Sequence, residues 1–127
     1  MRKKSDTPTE QELEIMKIIW RLQSATVRDV YEAILERRKV AYTTIMTMMN
    51  VLEKKKYLKK RLVERAYVYQ VTRSQDQVIG GLVKEFLNRV FDGAAEPLLM
   101  RLVKDRHLSP REFEKISRMI RESKEGK

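Results

Sequence analysis

The chain has 127 residues, enough for one ordinary domain or two small ones, and 42% of its residues are hydrophobic. Its 28 lysines and arginines outnumber 18 acidic residues and give a net charge of +10, which favours a polyanionic partner such as nucleic acid. The lack of cysteine excludes disulfides, thiolate metal sites and a cysteine nucleophile. No run approaches the roughly 18 apolar residues that span a bilayer, so we expect a cytoplasmic protein without membrane insertion.

The first two predicted helices begin at threonines that can cap them. Thr9 is followed three residues later by Glu12, a capping box in which hydroxyl and carboxylate satisfy backbone N–H groups that the first turn leaves unpaired. Apolar residues then recur every three or four positions, which is the helical period. A second helix is predicted from Thr26 to about Arg37, with Asp29 near its positive end.

A third helix is predicted from Tyr42 to Lys55, where the helical period resumes after the charged stretch 36–39. At about 100° per residue, one side of this helix is apolar and the opposite side is polar. A helix that reads DNA needs this division, because short side chains approach base edges while lysines contact phosphates. The outward side is predicted to hold Thr43, Thr47, Asn50 and Lys54, with Thr44 on its flank.

After Lys56 the apolar period changes to two, and residues 57–72 have the composition of two strands joined by a turn near Glu64. Three helices followed by a basic hairpin are the order of a winged helix-turn-helix domain, whose third helix faces the groove. Residues 54–65 hold seven basic residues and one acidic residue, a density suited to a phosphate backbone. The basic residues predicted to contact DNA are Lys54, Lys55, Lys59, Arg61 and Arg65.

A domain boundary is predicted near Arg73, because the charge is uneven along the chain. The first 73 residues hold 17 basic and 9 acidic side chains, whereas the remaining 54 hold 11 and 9. We expect a winged-helix DNA-binding domain over 1–73 and an all-helical dimerisation domain over 74–127. Capping and stop signals predict its helices at about 75–92, 97–106 and 110–124; these signals are Ser74 with Gln77, Gly93, Pro97, and Ser109 with Glu112.

The helix over 75–92 has an apolar stripe that covers roughly 220° of its circumference, more than one small domain can bury. Burial against the chain's own C-terminal helices is one interpretation. We favour burial in a homodimer, because two identical reading helices gain contacts to both halves of a palindromic operator. The residues predicted to form the dimer interface are Val78, Leu82, Val83, Phe86, Leu87, Val90 and Phe91.

Four segments, found over about residues 8–122, resemble the penicillinase-repressor (BlaI/MecI type) family of winged-helix regulators. They are TEQELEIMKIIW (9–20), YTTIMTMMNVLEKKKYL (42–58), RAYVYQV (65–71) and FLNRVFDG (86–93). The resemblance implies a homodimeric repressor on a dyad-symmetric operator in double-stranded DNA, often of TACA/TGTA type. The family's base-reading positions correspond to Thr43, Thr44 and Thr47, and its wing arginine corresponds to Arg65.

The sequence departs from the family pattern at several positions. Relatives often have glycine where this chain has Lys56 and Glu64. Some are inactivated by cleavage of an Asn-Phe bond, which aligns near Arg101 and Leu102 here, so that cleavage specificity is not expected. The resemblance leaves open a membrane sensor protease as a partner, whereas the cysteines of the copper-responsive branch do not occur in this chain.

Other classes of protein fit the sequence less well. The single histidine, His107, lies beside a helix boundary, and the chain has no glycine-rich phosphate loop and no metal-ligand spacing, so we expect neither an enzyme nor a cofactor. One alternative is a winged-helix module that binds an acidic protein through its basic face. Another is a winged-helix regulator that senses a small molecule.

Overall fold

A computed structural model describes residues 7 to 125, and within them lie six helices and one two-stranded antiparallel sheet. The predicted fold class, mainly α with a hairpin wing after the third helix, is confirmed. No helix in the described part of the chain is both long and apolar enough to cross a membrane. The elements are α1 (Glu10–Leu22), α2 (Val27–Leu35), α3 (Tyr42–Lys54), β1 (Leu58–Val63), β2 (Ala66–Val71), α4 (Gln75–Phe91), α5 (Glu96–Lys104) and α6 (Pro110–Glu125).

Four helices begin with reciprocal caps. In each, a hydroxyl accepts a hydrogen bond from the backbone N–H three residues later, and the side chain of that later residue accepts one in return. The predicted starts of α1, α2, α4 and α6 are therefore confirmed. α3 differs, since Ala41 precedes it and none of the described side chains caps it. The capping pairs are Thr9 with Glu12, Thr26 with Asp29, Ser74 with Gln77, and Ser109 with Glu112.

Contacts within the chain divide it into two compact units, and the division falls inside α4, between Leu82 and Val83. The boundary predicted from the sequence lies earlier, near Arg73. The two positions differ because Val78, near the start of α4, is only 5% exposed and belongs to the hydrophobic core of the N-terminal unit. Leu82 is half-buried against the same core. The prediction that Val78 lies in a dimer interface is therefore wrong.

The core of the N-terminal unit lies among α1, α2, α3 and the hairpin. Apolar residues at helical spacing turn one side of each helix inward, and each large side chain removed from water stabilises the unit by about 1.5–3 kcal/mol. Leu13, Trp20 and Met48, which the helical period also places inward, are partly buried against this core. The largest fully buried side chains are Ile15, Met16, Ile19, Val30, Ile34, Ile45, Met49, Leu52 and Leu58.

The hairpin closes with Val63 opposite Ala66, so Glu64 and Arg65 form a two-residue loop. The predicted turn is confirmed. Glu64 has a φ of 58°, in the left-handed region that glycine adopts at least cost. Two further backbone hydrogen bonds join β2 to the segment between α1 and α2, and they fix the wing relative to the first helices.

The C-terminal unit consists of the end of α4 together with α5 and α6. Asp92 and Gly93, with φ angles of 54° and 87°, end α4, as the sequence predicts for Gly93. Phe86 and Phe91 pack edge to face with their ring centres 5.9 Å apart. None of the described residues from Val83 to Ser123 is buried, and the apolar side chains in this range are exposed or half-buried.

Candidate nucleic-acid interface

α3 carries the predicted reading face, and its buried stripe sets the direction of that face. The apolar side packs into the core, so the opposite side points to solvent. Met46 and Val51, on the flanks, are 39% and 37% exposed. Hydroxyl and methyl groups therefore lie along the start and middle of the helix, and an ammonium group lies at its end. The predicted contact residues of α3 that are exposed are Thr43, Thr44, Thr47 and Lys54.

Aromatic contacts hold the start of α3 against α2. Tyr42 and Tyr31 pack edge to face with ring centres 5.4 Å apart, and the guanidinium carbon of Arg28 lies 5.8 Å from the centre of the Tyr42 ring. Tyr42 thereby fixes the backbone from which Thr43 and Thr44 project. This role of Tyr42 was not predicted from the sequence, because the contact joins residues of two helices and leaves no local pattern.

Asn50 is turned toward the wing. Its side chain is half-buried, and its amide oxygen accepts a hydrogen bond from the Tyr69 hydroxyl at 3.2 Å. Burial raises the pKa of the Tyr69 hydroxyl, which keeps it protonated as the donor. Asn50 thus joins α3 to β2, and this corrects the prediction that its amide lies on the outward face.

Lys55 is anchored inside the N-terminal unit. Its ammonium nitrogen lies 3.1 Å from both carboxylate oxygens of Glu12, whose side chain is only 8% exposed. The same carboxylate accepts the backbone N–H of Thr9, so one acidic group caps α1 and holds the end of α3. The Lys55 side chain is 26% exposed and held in this ion pair, so its contact with a phosphate stays a prediction. Lys55 follows the buried Leu52 by three residues, and that spacing already places it near the inward side.

The exposed basic residues of the wing are Lys59, Arg61 and Arg65. Lys59 and Arg61 alternate with residues of the other strand face and so share one face of β1. Arg65 lies in the loop at the far end of the hairpin. All three side chains are exposed, and their contact with DNA stays a prediction.

Lys60 lies on the other face of β1, and its ammonium group has contacts within the chain. Its ammonium nitrogen is 3.3 Å from a carboxylate oxygen of Glu53 in α3 and 4.5 Å from the centre of the Tyr67 ring. These contacts tie the wing to α3. The strand period of two indicates this placement of Lys60, because Lys60 shares its strand face with the buried Leu58.

The turn between α2 and α3 is fixed by a carboxylate on α1. Glu14 accepts hydrogen bonds from Arg37 at 2.8 Å and from Arg38 at 2.7 Å. The hydrogen bond from Arg38 lowers the pKa of the Glu14 carboxyl despite some desolvation by burial. The turn that leads into the reading helix is thus held by ion pairs whose charges are complete at neutral pH.

Comparisons with known proteins agree with this geometry. The family model described as Penicillinase repressor matches residues 8–122. A penicillinase repressor from Bacillus licheniformis is 27% identical over 125 residues, which is 98% of each chain. A penicillinase repressor from Staphylococcus aureus is 28% identical over 83% of each chain. Transcriptional regulator BlaI from Mycobacterium tuberculosis is 34% identical over 91 residues, 70% of this chain and 66% of that protein.

A solved structure is similar as well. The Bacillus licheniformis BlaI monomeric form in complex with the blaP half-operator is 29% identical, with a TM-score of 0.50 over 60% of this chain and 92% of that chain. The family consists of transcriptional repressors, which are not enzymes. The family match covers most of the sequence and includes every element described above that bears on the candidate interface. The chain belongs to the penicillinase repressor family.

Proposed function

We propose that this protein is a homodimeric transcriptional repressor that binds a dyad-symmetric operator through α3 and the basic wing. The observation that carries the proposal is the exposed face of α3. Threonine hydroxyls and methyls are exposed along the start and middle of this face and suit base edges, and the exposed Lys54 at the end of the helix suits a phosphate. We assign contacts with DNA to Thr43, Thr44, Thr47, Lys54, Lys59, Arg61 and Arg65.

The solved relative supports this assignment, because BlaI of Bacillus licheniformis was solved in complex with a half-operator. The part of this chain that is similar to it covers 60% of the residues, enough to include a winged-helix unit. We infer that a second subunit of this protein occupies the other half of its operator. A repressor acts on chromosomal DNA by binding, so we propose a cytoplasmic, non-enzymatic protein.

The homodimer is supported by the exposed apolar surface of the C-terminal unit. Val83, Phe86 and Val90 on α4 are 46%, 39% and 49% exposed. Large contiguous apolar surfaces in contact with water are typical of interfaces. A two-fold pair would bury the same surface on both subunits and present two reading helices to the two halves of a palindrome.

The test compares two substitutions on a duplex selected from random DNA by the unaltered protein. Thr47→Ala should lower the ratio of operator to random-DNA affinity by about fivefold, because it removes a group near the base edges. Lys54→Ala should weaken binding to both duplexes alike and lower the slope of affinity against salt by about 1. Equal effects of the two substitutions on that ratio contradict the assigned roles.

The selection itself separates this function from the alternative of an acidic protein partner. A dimer that contacts several phosphates loses duplex affinity steeply as salt rises. If no dyad-symmetric sequence is recovered and binding shows no preference among duplexes, the proposed function is wrong and the basic face serves another polyanion.

A further inference from the structure

The outward side of α3 has few groups that can read a base edge by paired hydrogen bonds. Between Tyr42 and Glu53 the helix has no arginine or lysine, the residues that most often bind guanine. Asparagine reads adenine with both polar atoms of its amide, but the amide oxygen of Asn50 accepts a hydrogen bond from the Tyr69 hydroxyl at 3.2 Å. The part of α3 before Lys54 therefore needs another kind of contact to distinguish bases.

Two apolar side chains of α3 are exposed to water. Met46 is 39% exposed and Val51 is 37% exposed, and they lie on the two flanks of the face that carries Thr43 and Thr47. An apolar group gains free energy when it leaves water for an apolar partner. In the major groove that partner is the 5-methyl group of thymine, which adenine, guanine and cytosine lack. Both side chains therefore suit a thymine methyl.

Met46 and Val51 are too far apart to share one thymine. Five residues separate them, which is about 7.5 Å along the helix axis and about 140° around it. Met46 precedes Asn50 by four positions and so lies on the flank toward the wing. Val51 follows Thr47 by four positions and lies on the other flank. Each side chain therefore suits a different base pair.

We propose that Met46 and Val51 are specificity-determining residues, each of which contacts the methyl group of a different thymine in the half-site. This inference rests on the proposed function, because α3 must enter the major groove for the contacts to form. Removing one methyl group from water against an apolar side chain raises affinity by about fourfold. The half-site then contains at least two thymines that face α3.

The experiment removes single methyl groups from the DNA. The parent is the duplex that the unaltered protein selects from random DNA, and each member of a series has one thymine of one half-site replaced by deoxyuridine. Deoxyuridine keeps the pairing with adenine and lacks only the methyl group. The penalty of each replacement is the ratio of the affinities for the parent and the substituted duplex.

The variants are Met46→Ala and Val51→Ala. Both positions are exposed and alanine favours a helix, so the fold is retained. The matched control is Leu22→Ala, which removes an apolar side chain that is 44% exposed at the end of α1. Affinity for random DNA should stay within about twofold in all three variants, because the phosphate contacts are unchanged.

The unaltered protein should show a penalty of about fourfold at two or more thymines. Met46→Ala should lower the penalty at one of them to less than about twofold, and Val51→Ala should do so at another, whereas Leu22→Ala should keep both. An unaltered protein that tolerates deoxyuridine at every position overturns the inference. Penalties that persist in both variants also overturn it, since other groups then contact the methyls. If the unaltered protein selects no dyad-symmetric duplex, the proposed function itself fails.

Discussion

The two units of the chain use similar apolar residues with opposite results. In the N-terminal unit, side chains such as Ile15, Met49 and Leu52 have no exposure at all. Among the described residues from Val83 to Ser123 none is buried, and Met119 and Ile120 on α6 are 59% and 60% exposed. Amphipathic helices alone therefore do not make a core.

The size of each unit explains the difference. A helix hides its apolar stripe only when other elements surround it, and the N-terminal unit supplies three helices and a hairpin. The C-terminal unit spans Val83–Lys127, close to the roughly 40 residues below which disulfides, metals or oligomerisation are usually needed. The first unit can fold by its own contacts, whereas we expect the second to gain its stability in the proposed homodimer.

The prediction with the largest expected effect is a substitution at Phe86, which tests this contrast between the two units. Phe86→Asp places a charge in the surface proposed to pair the subunits, where its desolvation is costly. We expect monomers in light scattering and a loss of about 100-fold in operator affinity, because the second half-site contact is no longer intramolecular. The circular dichroism signal of the N-terminal helices should be retained.

The matched control is Asn88→Asp, which adds the same charge to an exposed position of α4 outside the apolar stripe. It should remain a dimer and bind the operator within about twofold of the unaltered protein. A dimer in both variants would mean that the exposed stripe of α4 is not the pairing surface. The contrast between the units would then need another explanation.

The second prediction compares two adjacent lysines. Lys55→Ala leaves the buried carboxylate of Glu12 without its ion-pair partner, and we expect it to lower the free energy of unfolding by about 2 kcal/mol. Lys54→Ala, at an exposed position, should change stability by less than about 0.5 kcal/mol while lowering DNA affinity. Urea unfolding of both variants measures the difference. Equal free energies of unfolding of the two variants would show that the ion pair of Lys55 does not stabilise the fold.

These adjacent lysines show how far a sequence can be interpreted. Helix starts were predictable because a capping box is complete within four residues, and the hairpin because its alternation and loop are local. Asn50 and Val78 were placed wrongly and the ion pair of Lys55 was missed, because the partners lie on other elements, 19 residues away for the Asn50 hydrogen bond and 43 for the Lys55 ion pair. The periodicity of one helix does not identify a partner on another element. The spacing from a buried neighbour indicates only the side of the helix on which a residue lies.

The surface proposed to pair the subunits could be predicted only in part from the sequence. Apolar residues around roughly 220° of α4 predicted a second partner for the helix. The structure divides that stripe, since Val78 and Leu82 pack in or against the chain's own core, whereas Ile79 and the part from Val83 onward are exposed or half-buried. Only a tertiary structure separates the two, because both parts have the same composition and period.

The prediction with the smallest expected effect compares the turns that follow one helix in each unit. The turn that follows α3 has Lys56 at a φ of 71°, and the turn that follows α5 has Arg106 at a φ of 63°. In both turns the residue after the left-handed one donates its backbone N–H to a carbonyl five positions earlier, as in a Schellman motif. A side chain in the left-handed region costs about 1–2 kcal/mol, and glycine avoids this cost but loses more entropy on folding.

We therefore expect Lys56→Gly to raise the free energy of unfolding by about 0.5–1 kcal/mol, measured by thermal unfolding at fixed protein concentration. Arg106→Gly relieves the same backbone conformation and should give a similar gain if both units unfold in one transition. A gain at Lys56 without one at Arg106 would show that the C-terminal unit unfolds separately. Destabilisation by Lys56→Gly would instead mean that the lysine side chain contributes more than its backbone conformation costs.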